Sequence, residues 1–167
     1  SIIIVFIVLD IGIYSLGFEW VDFVLSNYAI VSLLFTLLVV SGAVNSINII
    51  DGFNGLMAGC SILILLAILY ISTIVGDGLV SQLSLILLSS LIGFFVFNFP
   101  FGKIFIGDGG AYFVGFMLAI IGLMLGVRNE EVSHWFVLLL FIYPLYETIF
   151  SIYRKKIVRG TLSSEPD

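Results

Sequence analysis

Strongly apolar, uncharged runs recur along the chain at 29–47, 56–75, 79–97 and 111–127, and a fifth at 135–153 is interrupted only by Glu147. Each is close to the ~17–25 residues that a membrane-spanning helix needs. Strands in lipid would require alternating polarity and closure into a barrel, whereas stretches such as 63–69 and 138–142 are apolar on every side. The pattern predicts an all-α, polytopic transmembrane helix bundle with five full spans. A sixth run, 2–18, is apolar except for Asp10 and predicts a partial N-terminal span. The first residue is Ser rather than Met and both ends read as cut, so residues 1–167 are expected to form one integral-membrane domain that is part of a larger protein.

Composition sharpens this picture. Hydrophobic residues make up 61% of the chain and charged ones 10%, against roughly 25% charged in an ordinary soluble domain. A water-soluble globule is excluded, and with six Lys and Arg against eleven Asp and Glu no nucleic-acid partner is expected. Cys60 is the only cysteine, which excludes intrachain disulfides and thiolate metal cages.

Alternating spans place 48–55, 98–110 and everything after Tyr153 on one side of the lipid bilayer. That side holds Lys103, Arg154, Lys155, Lys156 and Arg159, and the other holds only Arg128 among basic residues, with Glu19, Asp22, Asp77, Glu130 and Glu131. The positive-inside bias makes the first side cytoplasmic. Tyr28, Tyr112, Trp135 and Tyr153 lie at span edges, where amphipathic rings anchor.

Polar residues near bilayer depth are costly and tend to mark sites. In VNSINIIDGFNGL, 44–56, Asn45, Asn48 and Asp51 recur every third residue, about 60° apart on a helix, and form one polar face approaching the cytoplasmic end of a span. A glycine-capped helix end whose amides bond to neighbouring helices is the simpler reading. Two amides, a carboxylate and two glycines nevertheless exceed what a cap requires. The second cluster is FNFPFGKIFIGDGGAYF, 97–113, in which Pro100 stops one helix, Lys103 supplies a cation and Asp108 stands among Gly107, Gly109 and Gly110. A carboxylate among glycines before a helix starting at Ala111 suits Mg²⁺ and phosphate, since the metal takes one or two carboxylates plus phosphate oxygens and the free N–H groups face anions. Simple capping of that helix by Asp108 is the competing reading. Both clusters fall on the same membrane face, as a shared site demands.

Three ordered motifs now stand out: N-x-x-N-x-x-D-G-x-x-G-L at 45–56, FNFPFGKIFIGDGG at 97–110 and YPLYETIFSIYRKK at 143–156. Together they resemble the polyprenyl-phosphate N-acetylhexosamine-1-phosphate transferases of glycosyltransferase family 4, which include the enzyme making the first lipid intermediate of peptidoglycan and those priming O-antigen synthesis. The resemblance implies a Mg²⁺-dependent enzyme, with Mn²⁺ an acceptable substitute, of the bacterial inner (cytoplasmic) membrane. It implies transfer of a sugar 1-phosphate from a UDP-N-acetylhexosamine to undecaprenyl phosphate at the cytoplasmic face, with release of UMP. It matches Asp108 to the metal-binding aspartate and Asp51 and Asn48 to the reaction centre. Asn98, Phe105 and Gly107 correspond to the uridine pocket, Phe105 stacking on the base, with Asn45, Asn54 and Lys103 as further substrate-binding residues.

Some features depart from the family pattern. Asn54 stands where many members carry a carboxylate associated with the nucleotide. Phe101 and Gly102 interrupt a segment that usually has two adjacent prolines followed by alanine, so a looser loop around Lys103 is expected. The aspartate-rich and His-rich motifs of the family would lie before and after this chain. Other polar residues carry milder expectations. Glu147, one turn from a kink at Pro144, is as suited to bonding Arg154 or water as to catalysis. His134, Glu130 and Glu131 read as a solvated loop on the far side. Ala111, Gly115, Ala119, Gly122 and Gly126 form a stripe for internal packing or a homodimer seam. The alternative classes are a transport protein with polar midspan residues and an inactive structural membrane subunit.

Overall fold

The computed structural model describes residues 11–154, and these are helical apart from connecting segments. Helix α1 spans Glu19–Asn27, α2 Ala29–Ile49 with a 3₁₀ turn at Ile50–Gly52, α3 Leu56–Ile74, α4 Gly78–Asn98, α5 Gly107–Arg128, α6 His134–Leu140 and α7 Ile142–Tyr153. Four of them, α2 with its 3₁₀ turn, α3, α4 and α5, are long and apolar enough to cross a membrane. The fifth predicted span exists as the bent pair α6–α7, which turns by 57°. Its break lies at Phe141 rather than at Pro144. The proline ring clashes with the carbonyl four residues earlier, at Leu140, and removes the hydrogen bond to it, so the helix restarts at Ile142 with Pro144 in its first turn, where no N–H is needed.

Of the predicted 2–18 span, residues 2–10 lie outside the described residues, and 11–18 are not helical. This segment is stitched to α2 instead: the Ile13 N–H donates to Thr36 Oγ1 at 3.0 Å and the Ser32 hydroxyl donates to the Ile13 carbonyl at 2.8 Å. Asp22 of α1 accepts from the Leu16 and Gly17 N–H groups and the Ser15 hydroxyl, and the Trp135 indole N–H donates to the Leu16 carbonyl at 2.8 Å. With its backbone groups satisfied from outside, the chain has no need of a helix here.

Helix α5 is the most enclosed element, packing against α2, α3, α4 and α6, while α7 packs on α2 and reaches the 3₁₀ turn. Val40, Ile47, Leu65, Ile68, Leu118, Ile121 and Leu125 are fully buried between these helices. The small-residue stripe of α5 serves this internal packing. A Cβ on Gly115 would stand 3.0 Å from the Val44 Cα, and one on Gly122 2.8 Å from Val137, so glycine lets α2 and α6 approach. At the end of the bundle away from Asp51, Asp77 caps α4 through the Val80 N–H and pairs with Arg128 at 2.8 Å, joined by Asn129. Burial works to raise the Asp77 carboxyl, but the Arg128, Val80 and Asn129 donors outweigh it and hold it below the ordinary carboxylate value.

Candidate functional site

The end of the bundle opposite Asp77 gathers the terminus of α2, the start of α3, the terminus of α4 and the start of α5. Close approach of α2 and α5 at Gly115 sets Asn45 beside Gly109 in the first turn of α5. Asn45 is exposed, Asn48 and Asp51 are half-buried, and Asp108 is exposed. Asn45 donates to the Ser41 carbonyl at 2.9 Å and lines a groove between the two helices with Val44, Gly109, Tyr112 and Phe113. Asp51 lies in the 3₁₀ turn that ends α2 and Asp108 in the first turn of α5, so the two carboxylates fall at the same end of the bundle. Among the described residues neither belongs to an ion pair.

Helix α5 begins at Gly107, earlier than the Ala111 start predicted, so GDGG is its first turn rather than a loop. First-turn N–H groups need no partner within the helix, which is why glycines are tolerated there. Ile106 holds the N-cap position and Asp108 lies inside the first turn, so Asp108 is not the N-cap of this helix. Asp108 thus lies in the first turn, at the positive end of the helix dipole.

The connecting segments are tied together. Asn98, 5% exposed, accepts from the Gly55 N–H through Oδ1 at 2.5 Å and donates through Nδ2 to the Ile104 carbonyl at 2.8 Å. Asn54 donates to the Pro100 carbonyl at 3.3 Å. The Gly102 N–H bonds the Asn98 carbonyl at 2.7 Å and the Lys103 N–H the Phe97 carbonyl at 3.1 Å. The looser loop expected around Lys103 is therefore not found, because side-chain amides hold it where Phe101 and Gly102 replace the second proline and the alanine. Gly55 makes this fit possible: its φ of +81° is left-handed, and a Cβ there would lie 2.7 Å from the Phe99 ring. Lys103 and Gly107 are exposed, and Phe105 is 76% exposed, its ring presented on the same end as Asp108.

Among the described residues no three His, Cys, Asp or Glu side chains converge into a metal cage. Two carboxylates of like charge on helix ends are the donor set that suits a hard cation sharing its shell with phosphate oxygens. Glu147 is half-buried on α7, which reaches the 3₁₀ turn carrying Asp51. An enclosed cavity lined by Ile13, Phe35, Val39, Gly122, His134 and Phe141 is apolar and contains none of the predicted site residues. Of the other basic residues predicted on this face, Lys155, Lys156 and Arg159 lie outside the described residues.

Fold and site together define a multi-pass membrane protein with polar chemistry concentrated at one end of its bundle. The model of glycosyl transferase family 4 matches residues 1–126, and the chain belongs to that family. It is 36% identical over 134 residues to the "Probable undecaprenyl-phosphate N-acetylglucosaminyl 1-phosphate transferase" of Bacillus subtilis (strain 168), covering 79% of this chain and 37% of that protein. A phospho-N-acetylmuramoyl-pentapeptide-transferase of Streptococcus thermophilus (strain CNRZ 1066) is 33% identical over 115 residues, 69% of this chain and 32% of its own. One of the same name from Staphylococcus aureus (strain Newman) is 34% identical over 101 residues, 60% of this chain and 30% of its own. The chain spans about a third of the length of these curated relatives. No solved structure matches.

Proposed function

We propose that the chain forms part of the catalytic core of an enzyme that transfers N-acetylhexosamine 1-phosphate from a UDP-sugar to undecaprenyl phosphate and releases UMP, the first membrane step of a cell-envelope glycan. The observation that carries this reading is that the turn bearing Asp51 and the first turn of α5 bearing Asp108 fall at one end of a membrane bundle of this family. The relatives' names supply the reaction class. A site at the bilayer border suits a soluble nucleotide meeting a lipid phosphate, and exposed Lys103 on that end supports its assignment to the cytoplasmic face of the bacterial inner membrane.

Phosphoryl transfer depends mainly on positioning and on neutralising charge over the phosphates. An oxygen of the lipid phosphate forms a bond to the phosphorus that carries the sugar, and the bond from that phosphorus to UMP breaks. Asp51 faces the attacking group and takes any proton it carries, while the Asn48 amide donates to a phosphate oxygen. The first-turn N–H groups of α5 and the Lys103 ammonium attract the diphosphate. Phe105 offers its exposed ring to the uracil. Asp108, with Asp51 beside it, would hold Mg²⁺ or Mn²⁺. The bound ion supplies charge neutralisation at the diphosphate and the leaving UMP.

The test is transfer of radiolabelled sugar phosphate from UDP-N-acetylglucosamine and UDP-N-acetylgalactosamine to undecaprenyl phosphate by the full-length protein in detergent. Lipid-linked sugar phosphate with stoichiometric UMP supports the proposal. A folded protein that yields no lipid product from any UDP-N-acetylhexosamine contradicts it.

A further inference from the structure

Helix α1 divides its nine residues between two faces. At 100° per residue, Trp20, Phe23 and Val24 fall within an arc of about 100°, and they are 77%, 64% and 38% exposed. Asp22 and Leu25 lie on the opposite side. Leu25 is buried in the core, and Asp22 accepts from the Leu16 and Gly17 N–H groups and the Ser15 hydroxyl. The inward face is thus engaged, while the outward one is an uncharged stripe of large apolar side chains. Its depth is marked by its neighbours. Tyr28 joins α1 to the start of α2, which puts α1 at the end of the bundle that holds the Asp77–Arg128 pair. There Phe18 and Trp135 meet edge to face with ring centroids 6.0 Å apart, and both line an open crevice with Glu130. Charged groups that are costly in hydrocarbon and exposed aromatic rings share one level, as they do at a membrane–water boundary.

We propose that α1 is an interfacial helix, whose Trp20, Phe23 and Val24 stripe docks into the lipid headgroup layer at the end of the bundle opposite Asp51 and Asp108. At about 1.5 Å per residue the helix is far too short to cross the ~30 Å hydrocarbon core, so its apolar face can be covered by lipid only at the boundary. Trp suits that layer because its ring is apolar while its indole N–H bonds water or a headgroup oxygen. Among its charged residues α1 carries Glu19 and Asp22 and no Lys or Arg, so apolar burial rather than attraction to anionic lipid holds it there. Seating the outward face also steadies the inward one, where Asp22 ties residues 15–17 to the helix. The proposal concerns the far end of the bundle and stands apart from the transferase reading.

The experiment places the full-length protein and its Trp20→Phe variant in phosphatidylcholine vesicles whose acyl chains are brominated either near the headgroup or near the chain end. Trp20 is exposed, so the variant keeps the packing of the fold, and the difference between the two emission spectra reports Trp20 alone. That emission should lie to the blue of indole in water, be lost mainly to bromines near the headgroup, and change little with added salt. Phe23→Trp in the Trp20→Phe protein should show the same order of quenching from a second position on the stripe. Loss to aqueous iodide with none to brominated lipid would put the stripe in water and overturn the proposal. Loss to neither quencher would mean that protein covers it, from elsewhere in the chain or from a second copy, and strongest loss to chain-end bromines would put it in the hydrocarbon core. Either result also overturns the proposal.

Discussion

Asp51, in the 3₁₀ turn that ends α2, and Asp108, in the first turn of α5, bring two carboxylates to the same end of the bundle, with no ion-pair partner for either among the described residues. Their placement depends on packing further along the same helices, where α2 and α5 meet at Gly115.

Gly115→Ala tests that dependence. Its new Cβ would stand 3.0 Å from the Val44 Cα and 3.2 Å from the Val44 carbonyl oxygen, both backbone atoms that cannot turn aside. Overpacking of this kind costs about 1–3 kcal/mol. Thermal unfolding in detergent should show a lower midpoint, accompanied by reduced transfer activity. An unchanged midpoint would mean that the two helices are not held together at this point.

Phe105→Ala separates base recognition from chemistry. Stacking of a base on an aromatic ring contributes about 1–3 kcal/mol. The substitution should weaken UMP binding about tenfold, read by isothermal titration, with kcat at saturating donor little changed. A loss confined to kcat would remove Phe105 from the nucleotide site.

Asp77 governs acid sensitivity at the opposite end. Its folded carboxyl lies below the ordinary 3.8, so the Asp77–Arg128 tie stabilises the protein above that value and is lost as pH falls through the lowered one. Asp77→Asn should therefore lower stability near neutral pH by on the order of 2 kcal/mol, and the gap from wild type should narrow as pH drops below 3.8. Unfolding midpoints of the two proteins across pH provide the check. A gap that is constant with pH would mean that the Asp77 charge is not what stabilises the fold at this end.

The spans were readable because lipid demands long apolar helices, and 29–47, 56–75, 79–97 and 111–127 each lie on a helix of nearly those bounds. What sequence reasoning missed depended on tertiary partners. Residues 11–18 read as the end of a span, but Ser32, Thr36 and Asp22 satisfy their backbone in another form. Helix α1 was not predicted, since nine residues with Trp20 and Phe23 exposed carry too short a pattern to register. GDGG looked like a loop because glycine is a poor helix former, although the first turn places little demand on it. Asp51 and Asp108 were brought to one face by counting spans. No sequence signal shows that Asn98 would bond the Gly55 N–H and the Ile104 carbonyl, because both partners are backbone groups brought to it by the fold.

The central claim is that Asp51 and Asp108 form one metal-dependent phosphoryl-transfer site, and it is tested most directly by Mg²⁺ titration of sugar-phosphate transfer in the full-length protein, its Asp108→Asn variant and its Asp51→Asn variant. The account predicts Mg²⁺-dependent lipid product in the wild type and a loss of roughly 1,000-fold in each variant, in line with removal of a group that stabilises transition-state charge. Asp108→Asn should also require a much higher Mg²⁺ concentration for its residual activity. Wild-type activity that ignores Mg²⁺, or that survives in both variants, would contradict it.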